Sequence, residues 1–504
     1  MGRFWRGELS LALSFWGIGA LGIALFFVLP EGVGWLVRGR DFNPFVTFAA
    51  IVAIWAIILV LQACLTVGIW RSAADQRRQA PGRRGLWGLA AQLVLVAAGL
   101  YSARLFVMTG VPELIEGVDM ALLDDPSLPP YSVRLMRGGT EAEIAGGFKY
   151  GLAREAERLF LDAPQLHVVH LNSTGGRLGE AVKIARLITR RKLDTYTSAT
   201  CASACAVVYA AGQERYLLRG ARLGFHRSVF AGSENAEAMK RLLLSAGIAP
   251  ALVDRAVAQP AESIWYPTDA ELAQARVVTT FVDSYRFAAS GFGTYATLMT
   301  VEDALRRTPA LEALSESQPE LFDDIAELYQ KRYVEGRSIG EIEDEIRQTK
   351  VAPFIATRLP QVDDGILVDY ALLLADQYAA LGARDPASCF AYITRGANAR
   401  IVALMGSALR SRELALTERV MRSKSHRTAA SAETIQAANA EVYKKLSAAF
   451  DPQVVSMLSE PAKIQPDRYA LFCKVAVARL QTIVALPPHE AGDLMSSLFS
   501  GTRR

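Results

Sequence analysis

Residues 200–226 read TCASACAVVYAAGQERYLLRGARLGFH, and the way this stretch divides decides the fold. A strand (TYTSAT, 195–200) runs into it, a helix (CAVVYAAG, 205–212) follows, and a second strand (ARLGFH, 221–226) closes it. Ser203 sits on the strand-to-helix junction, flanked by Ala202 and Ala204 and then by Cys201 and Cys205. Such a junction exposes a side chain and turns free backbone N–H groups toward one point. A serine hydrolase needs an exposed hydroxyl, a histidine in reach, an acid to orient it, and N–H groups facing the developing oxyanion. Ser203 and His226 meet the first two requirements by position. The plain alternative makes Ser203 a helix N-cap and nothing more. Spacing does not separate the two readings, because the segment is not a GxSxG elbow.

Working outward, the same alternation continues upstream. YSVRLMRGG (131–139) reads as a strand ending in glycines and EAEIAGGFKYGLAREAERLF (141–160) as a helix. QLHVVHLNS (165–173) is a near-continuous apolar strand, and RLGEAVKIARLITRR (177–191) a helix with Ala181, Ile184, Ala185 and Ile188 on one face. Between them LNSTGG ends a strand at Gly175 and Gly176, offering a further N–H at the sheet edge. Strands alternating with helices predict an α/β domain, a parallel sheet flanked by helices. In open sheets of this kind ligands sit beyond the carboxyl ends of the strands, so Gly176, Ser203 and His226 are expected on one rim. His167 and His170 fall on opposite faces of their strand, which argues against a shared metal. No CxxC or histidine spacing suggests zinc, and no metal or cofactor is expected.

Of the 504 residues, 51% are hydrophobic, and the excess lies at the N-terminus. Leu9–Leu29, Phe45–Trp70 and Leu86–Ala103 read as three membrane spans. Arg71, Arg77, Arg78, Arg83 and Arg84 crowd the loop between the second and third. Positive loops stay in the cytoplasm, which predicts a multi-pass protein of the cytoplasmic membrane with residues 111–504 extracytoplasmic. The net charge of +4 owes much to that loop and implies no nucleic-acid partner. The sequence divides into a three-span anchor (1–110), an acidic, proline-containing linker (111–130), the α/β domain (131–285) and an all-α domain (290–504). In the last, SIGE at 338–341 fits a capping box, and the basic run from Arg410 to Arg427 reads as a solvated helix face. Cys64 lies in a span. The other four cysteines fall on the outer side, where an even number suits an oxidising compartment. Cys389 and Cys473 are expected to be bridged; whether Cys201 and Cys205 are stays open.

Residues 131–285 resemble the proteolytic subunit family of the Clp proteases, within the wider crotonase-type fold. LNSTGG, CASACAVVYAAGQER and ARLGFH carry the resemblance, with Thr174 where the family has proline. It implies Ser203 as nucleophile, His226 as base, and the Gly176 and Ala204 N–H groups as an oxyanion hole. PAESIWYPTDAELAQARVVTTFV (260–282) is similar to the segment carrying the family's acid, which places Glu262 there, glutamate for aspartate, with Asp254 as a competitor. The implied activity is a serine endopeptidase acting on protein or peptide substrates. An outward-facing domain has no access to a cytoplasmic ATPase partner, and self-association is left open. Membrane-associated peptidases of the signal peptide peptidase A type use a lysine base, so a Ser203–Lys240 dyad also stands. Two other classes remain: a non-catalytic peptide-binding adaptor, and crotonase-type acyl-CoA chemistry, which needs no Ser–His pair.

Overall fold

The computed structural model describes residues 2–26, 28, 43–79, 82–227 and 233–501. The chain divides into two compact units. One comprises Met1–Tyr131, Gly146–Glu155 and Thr174–Arg186; the other comprises Ser132–Ala145, Ala156–Ser173 and Leu187–Arg504.

The first unit holds two helices long and apolar enough to cross a membrane, Pro44–Gln79 and Gly85–Leu122. They contain the second and third expected spans. Of the first, Leu9–Leu29, the structure describes a shorter apolar helix, Leu13–Phe26, and residues 27 and 29 lie outside the described residues. Phe4, Leu11, Ile69, Ala73, Ala91 and Leu95 pack these helices together, while Leu59, Val60, Leu86, Trp87 and Leu100 stay exposed. An apolar outer surface of this kind suits lipid. Residues 111–122, read above as the start of a linker, instead continue the helix. Pro112 lies in the first turn of this continuation, directly after a π-turn at Phe106–Gly110. The chain then turns through Asp124 and Asp125, both with positive φ (54° and 50°). Lys149 Nζ holds the Asp124 carbonyl at 2.6 Å. Arg177 clamps Asp125 at 2.7 Å and also pairs with Glu116.

In the second unit a six-stranded mixed sheet is ordered β1-β2-β3-β4-β6-β8. Its strands are β1 (Tyr131–Met136), β2 (Glu141–Gly146), β3 (Val168–Asn172), β4 (Asp194–Thr197), β6 (Arg215–Leu218) and β8 (Thr280–Val282). A separate pair is formed by β5 (Thr200–Ala202) and β7 (Arg222–Gly224). From β2 to β8 every neighbouring pair is parallel, as is β5 with β7. Ile144, Val169, Leu171 and Leu217 are fully buried, as expected of strands covered on both faces.

One expectation fails here: EAEIAGG is β2, and its helix begins only at Leu152. Both glutamates of this strand are buried with dedicated partners. Glu141 meets His170 Nε2 at 2.9 Å, Arg137 at 2.9 Å and the Ala288 N–H at 3.0 Å. Glu143 accepts from Arg134 at 2.7 Å, the Gly291 N–H at 2.5 Å and the Tyr333 hydroxyl at 2.9 Å. A buried carboxylate is tolerated only with such a set of donors. Because Tyr333 lies on the helix Pro319–Val334, Glu143 also fastens the sheet to the helical region within this unit.

From Leu298 onward the described secondary-structure elements are all helices. Ser338 and Glu341 form the expected capping box. The helix Asp364–Arg384 is also long and apolar enough to cross a membrane, but Leu367, Ala371, Leu373 and Ala375 bury it in a core shared with Val420, Val442, Ile483 and Leu494. Cys389 and Cys473 are bridged, as expected. The basic run pairs with its own chain, Arg412 with Asp376 at 2.7 Å and Arg419 with Asp369 at 2.6 Å.

Candidate active site

The site is built on the point where β3 leaves the main sheet. Beyond Asn172 the chain continues as Ser173, which bridges Cys201 on β5: the Ser173 N–H donates to the Thr200 carbonyl at 2.9 Å and the Ala202 N–H to the Ser173 carbonyl at 2.9 Å. The Asn172 side chain braces the approach to β5. It accepts from the Ser198 hydroxyl and the Ala199 N–H, both at 3.1 Å, and donates to the Ser290 hydroxyl at 3.0 Å. LNSTGG drew attention to its glycines, and the part played by Asn172 was missed.

β5 ends at Ala202, and Ser203 turns the chain into the helix Ala204–Ala210. Ser203 has φ 57° and ψ −125°, a conformation that L residues avoid. Its N–H is spent on the Gly224 carbonyl of β7 at 2.9 Å. Its hydroxyl makes no cap hydrogen bond to the helix, so the N-cap reading does not explain the serine. The turn is tight because its neighbours are small. A Cβ at Gly224 would come within 2.9 Å of the Ala202 Cβ and 2.6 Å of Ile264. All seven residues of the following helix are buried. The Ala204 N–H is that helix's first and has no intrahelical acceptor by position. A disulfide joins Cys201 to Cys205 across the turn, with Cα atoms 5.3 Å apart.

His226 lies two residues beyond the end of β7, the strand that receives the Ser203 N–H. It is held from the other side by residues 259–265. Phe225 and Trp265 exchange two backbone hydrogen bonds of 2.9 Å, and the Arg227 N–H donates to the Gln259 carbonyl at 3.0 Å. The ring is 8% exposed, and its Nδ1 is buried without a well-formed hydrogen bond. Burial lowers its pKa below the ordinary 6.5, opposed by the Ala261 backbone and by the charge of Glu262. Glu262 itself is exposed, and its charge opposes the effect of burial on His226. Lys240 and Asp254, the competing base and acid, pair with each other at 2.8 Å. That contact raises the Lys240 pKa.

Gly176 belongs to the other unit, where the turn it occupies pairs with Phe148. The Phe148 N–H donates to the Gly175 carbonyl at 2.9 Å and the Arg177 N–H to the Phe148 carbonyl at 2.7 Å. In this parallel bridge the N–H of Gly176 itself points away from Phe148. Only glycine fits: φ is 143°, and a Cβ would lie 2.6 Å from the Phe148 oxygen. Among the described residues no cluster of His, Cys, Asp and Glu is arranged to hold a metal.

No protein-family model matches the chain, and no curated protein matches it. Among solved structures it is similar to ClpP1 from Listeria monocytogenes, at 18% identity and a TM-score of 0.26, over 29% of this chain and 92% of that one. An asparagine-to-aspartate mutant of the same organism's ClpP1 gives 17% identity and a TM-score of 0.25, over 29% and 92% of the two chains.

Proposed function

We propose that the chain is a membrane-anchored serine peptidase with Ser203 as nucleophile and His226 as general base. The observation that carries this reading is the backbone of Ser203, φ 57° and ψ −125°, at a strand-to-helix turn whose side chain caps nothing. A strained serine with no structural task, one strand away from a buried histidine, is the arrangement nucleophilic catalysis calls for. In the first step Ser203 Oγ attacks the peptide carbonyl while His226 takes its proton. The protonated His226 then delivers that proton to the leaving amine. Water, deprotonated by His226, releases the acyl group and restores Ser203. The Ala204 N–H, the first of its helix, is a donor to the oxyanion.

A lysine base must be neutral near pH 7, which calls for a depressed pKa. The Asp254 contact moves Lys240 the other way, which favours His226. The two disulfides suit an oxidising compartment and support an extracytoplasmic placement of residues 111–504. The test is covalent labelling of the full chain with a fluorophosphonate. Labelling should map to Ser203, vanish in Ser203→Ala and His226→Ala, and survive in Lys240→Ala. The opposite pattern for His226 and Lys240 would transfer the role of base to the lysine.

A further inference from the structure

The Cys201–Cys205 disulfide encloses Ser203 symmetrically, two residues to either side. Both sulfurs are fully buried. A strand covers about 3.3 Å per residue, so two positions four apart in extended chain lie about 13 Å from each other. Here they stand 5.3 Å apart. The bridge therefore forbids β5 from running straight on through Ser203 and admits only conformations that fold back at this residue.

Beyond the paired strand before it and the buried helix after it, the turn itself has two backbone restraints. The Ser203 N–H bonds to Gly224, and the Ser203 carbonyl receives the Ala206 N–H at 3.0 Å. Ala202 and Ala204 bring only methyl groups, which neither hydrogen-bond nor wedge the turn. A strained residue persists only where its surroundings over-determine it. From these observations we propose that the Cys201–Cys205 disulfide is a positioning element for catalysis. It holds Ser203 in its reactive backbone conformation, and hydrolysis depends on the oxidised pair. This inference rests on Ser203 being the nucleophile. It assigns no chemistry to the sulfurs, which act through Ser203 alone.

The experiment compares the oxidised full-length chain with Cys201→Ala/Cys205→Ala, measuring the fluorophosphonate labelling rate and the kcat and KM for a peptide substrate. Loss of the bridge should lower the labelling rate and kcat by about tenfold or more, the population cost of releasing a strained turn, with KM within about twofold. Cys389→Ala/Cys473→Ala serves as the control, since a remote disulfide should lower the melting temperature and leave the labelling rate unchanged. If the alanine pair does not fold, Cys201→Ser/Cys205→Ser, closer in volume, is read in the same way. Wild-type rates without the bridge would overturn the inference while the peptidase reading stood. Equal losses in kcat and in substrate affinity would overturn it too, because they mark general damage. A folded, oxidised wild type that fails to label at Ser203 would remove both.

Discussion

Replacing Ser203 with glycine and with alanine isolates the strain stored at the turn. Alanine keeps the Cβ and so keeps the penalty of φ 57° and ψ −125°, whereas glycine adopts this region freely. Holding an L residue there costs about 1–3 kcal/mol. Against this, glycine gains unfolded-state freedom worth about 0.5–1 kcal/mol. No helix cap is lost in either variant, because the serine makes none. The balance makes Ser203→Gly more stable than Ser203→Ala by about 1 kcal/mol, or roughly 1–2 °C in melting temperature for a unit this large. Both variants should be inactive. Thermal unfolding of the two side by side, in the same detergent, measures the difference. If glycine melts below alanine by about 1 kcal/mol, as at an ordinary position, the turn is unstrained and the argument for Ser203 loses its foundation.

Activity should rise with pH through a midpoint below 6.5, because burial depresses the His226 pKa and the base works neutral. Glu262→Gln removes a charge that raises that pKa and should shift the midpoint lower still; an upward shift in a kcat/KM profile would contradict the geometry. His226 likewise contributes stability that is complete above 6.5 and lost as pH falls through its folded pKa. Cys389→Ser/Cys473→Ser opens a loop with a sequence separation of 84, worth about 4.5 kcal/mol in the chain-entropy model, and should lower the melting temperature by roughly 6 °C. With the arginine-rich loop placed in the cytoplasm, as proposed, alkaline phosphatase fused after residue 125 should be active and one fused near residue 80 inactive; the reverse pattern would place residues 111–504 in the cytoplasm.

The parts of this protein that sequence revealed are those where local pattern and tertiary role agree. The buried strand around His170, the helix 178–191 and the turn at Ser203 each show their period and their small residues in plain letters. The strand β2 did not, because Glu141 and Glu143 are polar by composition and buried only through His170, Arg137, Arg134 and Tyr333, partners as far as 190 residues away. The helix through 122 was hidden by Glu113, Glu116 and Asp119, which read as part of an acidic linker. At the site, Ser203 and His226 could be named from the ends of two strands. Their support could not be foreseen: the Asn172–Ser198–Ser290 brace and the 259–265 segment behind His226 are long-range contacts with no local signature. The pairing of Lys240 with Asp254 joins two helices and likewise leaves no mark in either segment.

The central claim is that Ser203 is a nucleophile activated by His226. Its most direct measurement is the second-order rate of fluorophosphonate labelling, with the modified peptide identified by mass, in wild type, His226→Ala and Lys240→Ala. A single adduct on Ser203 is expected, with a loss of several orders of magnitude in His226→Ala and a near-wild-type rate in Lys240→Ala. A folded protein that carries no adduct at Ser203, or one whose labelling is indifferent to His226, would contradict it.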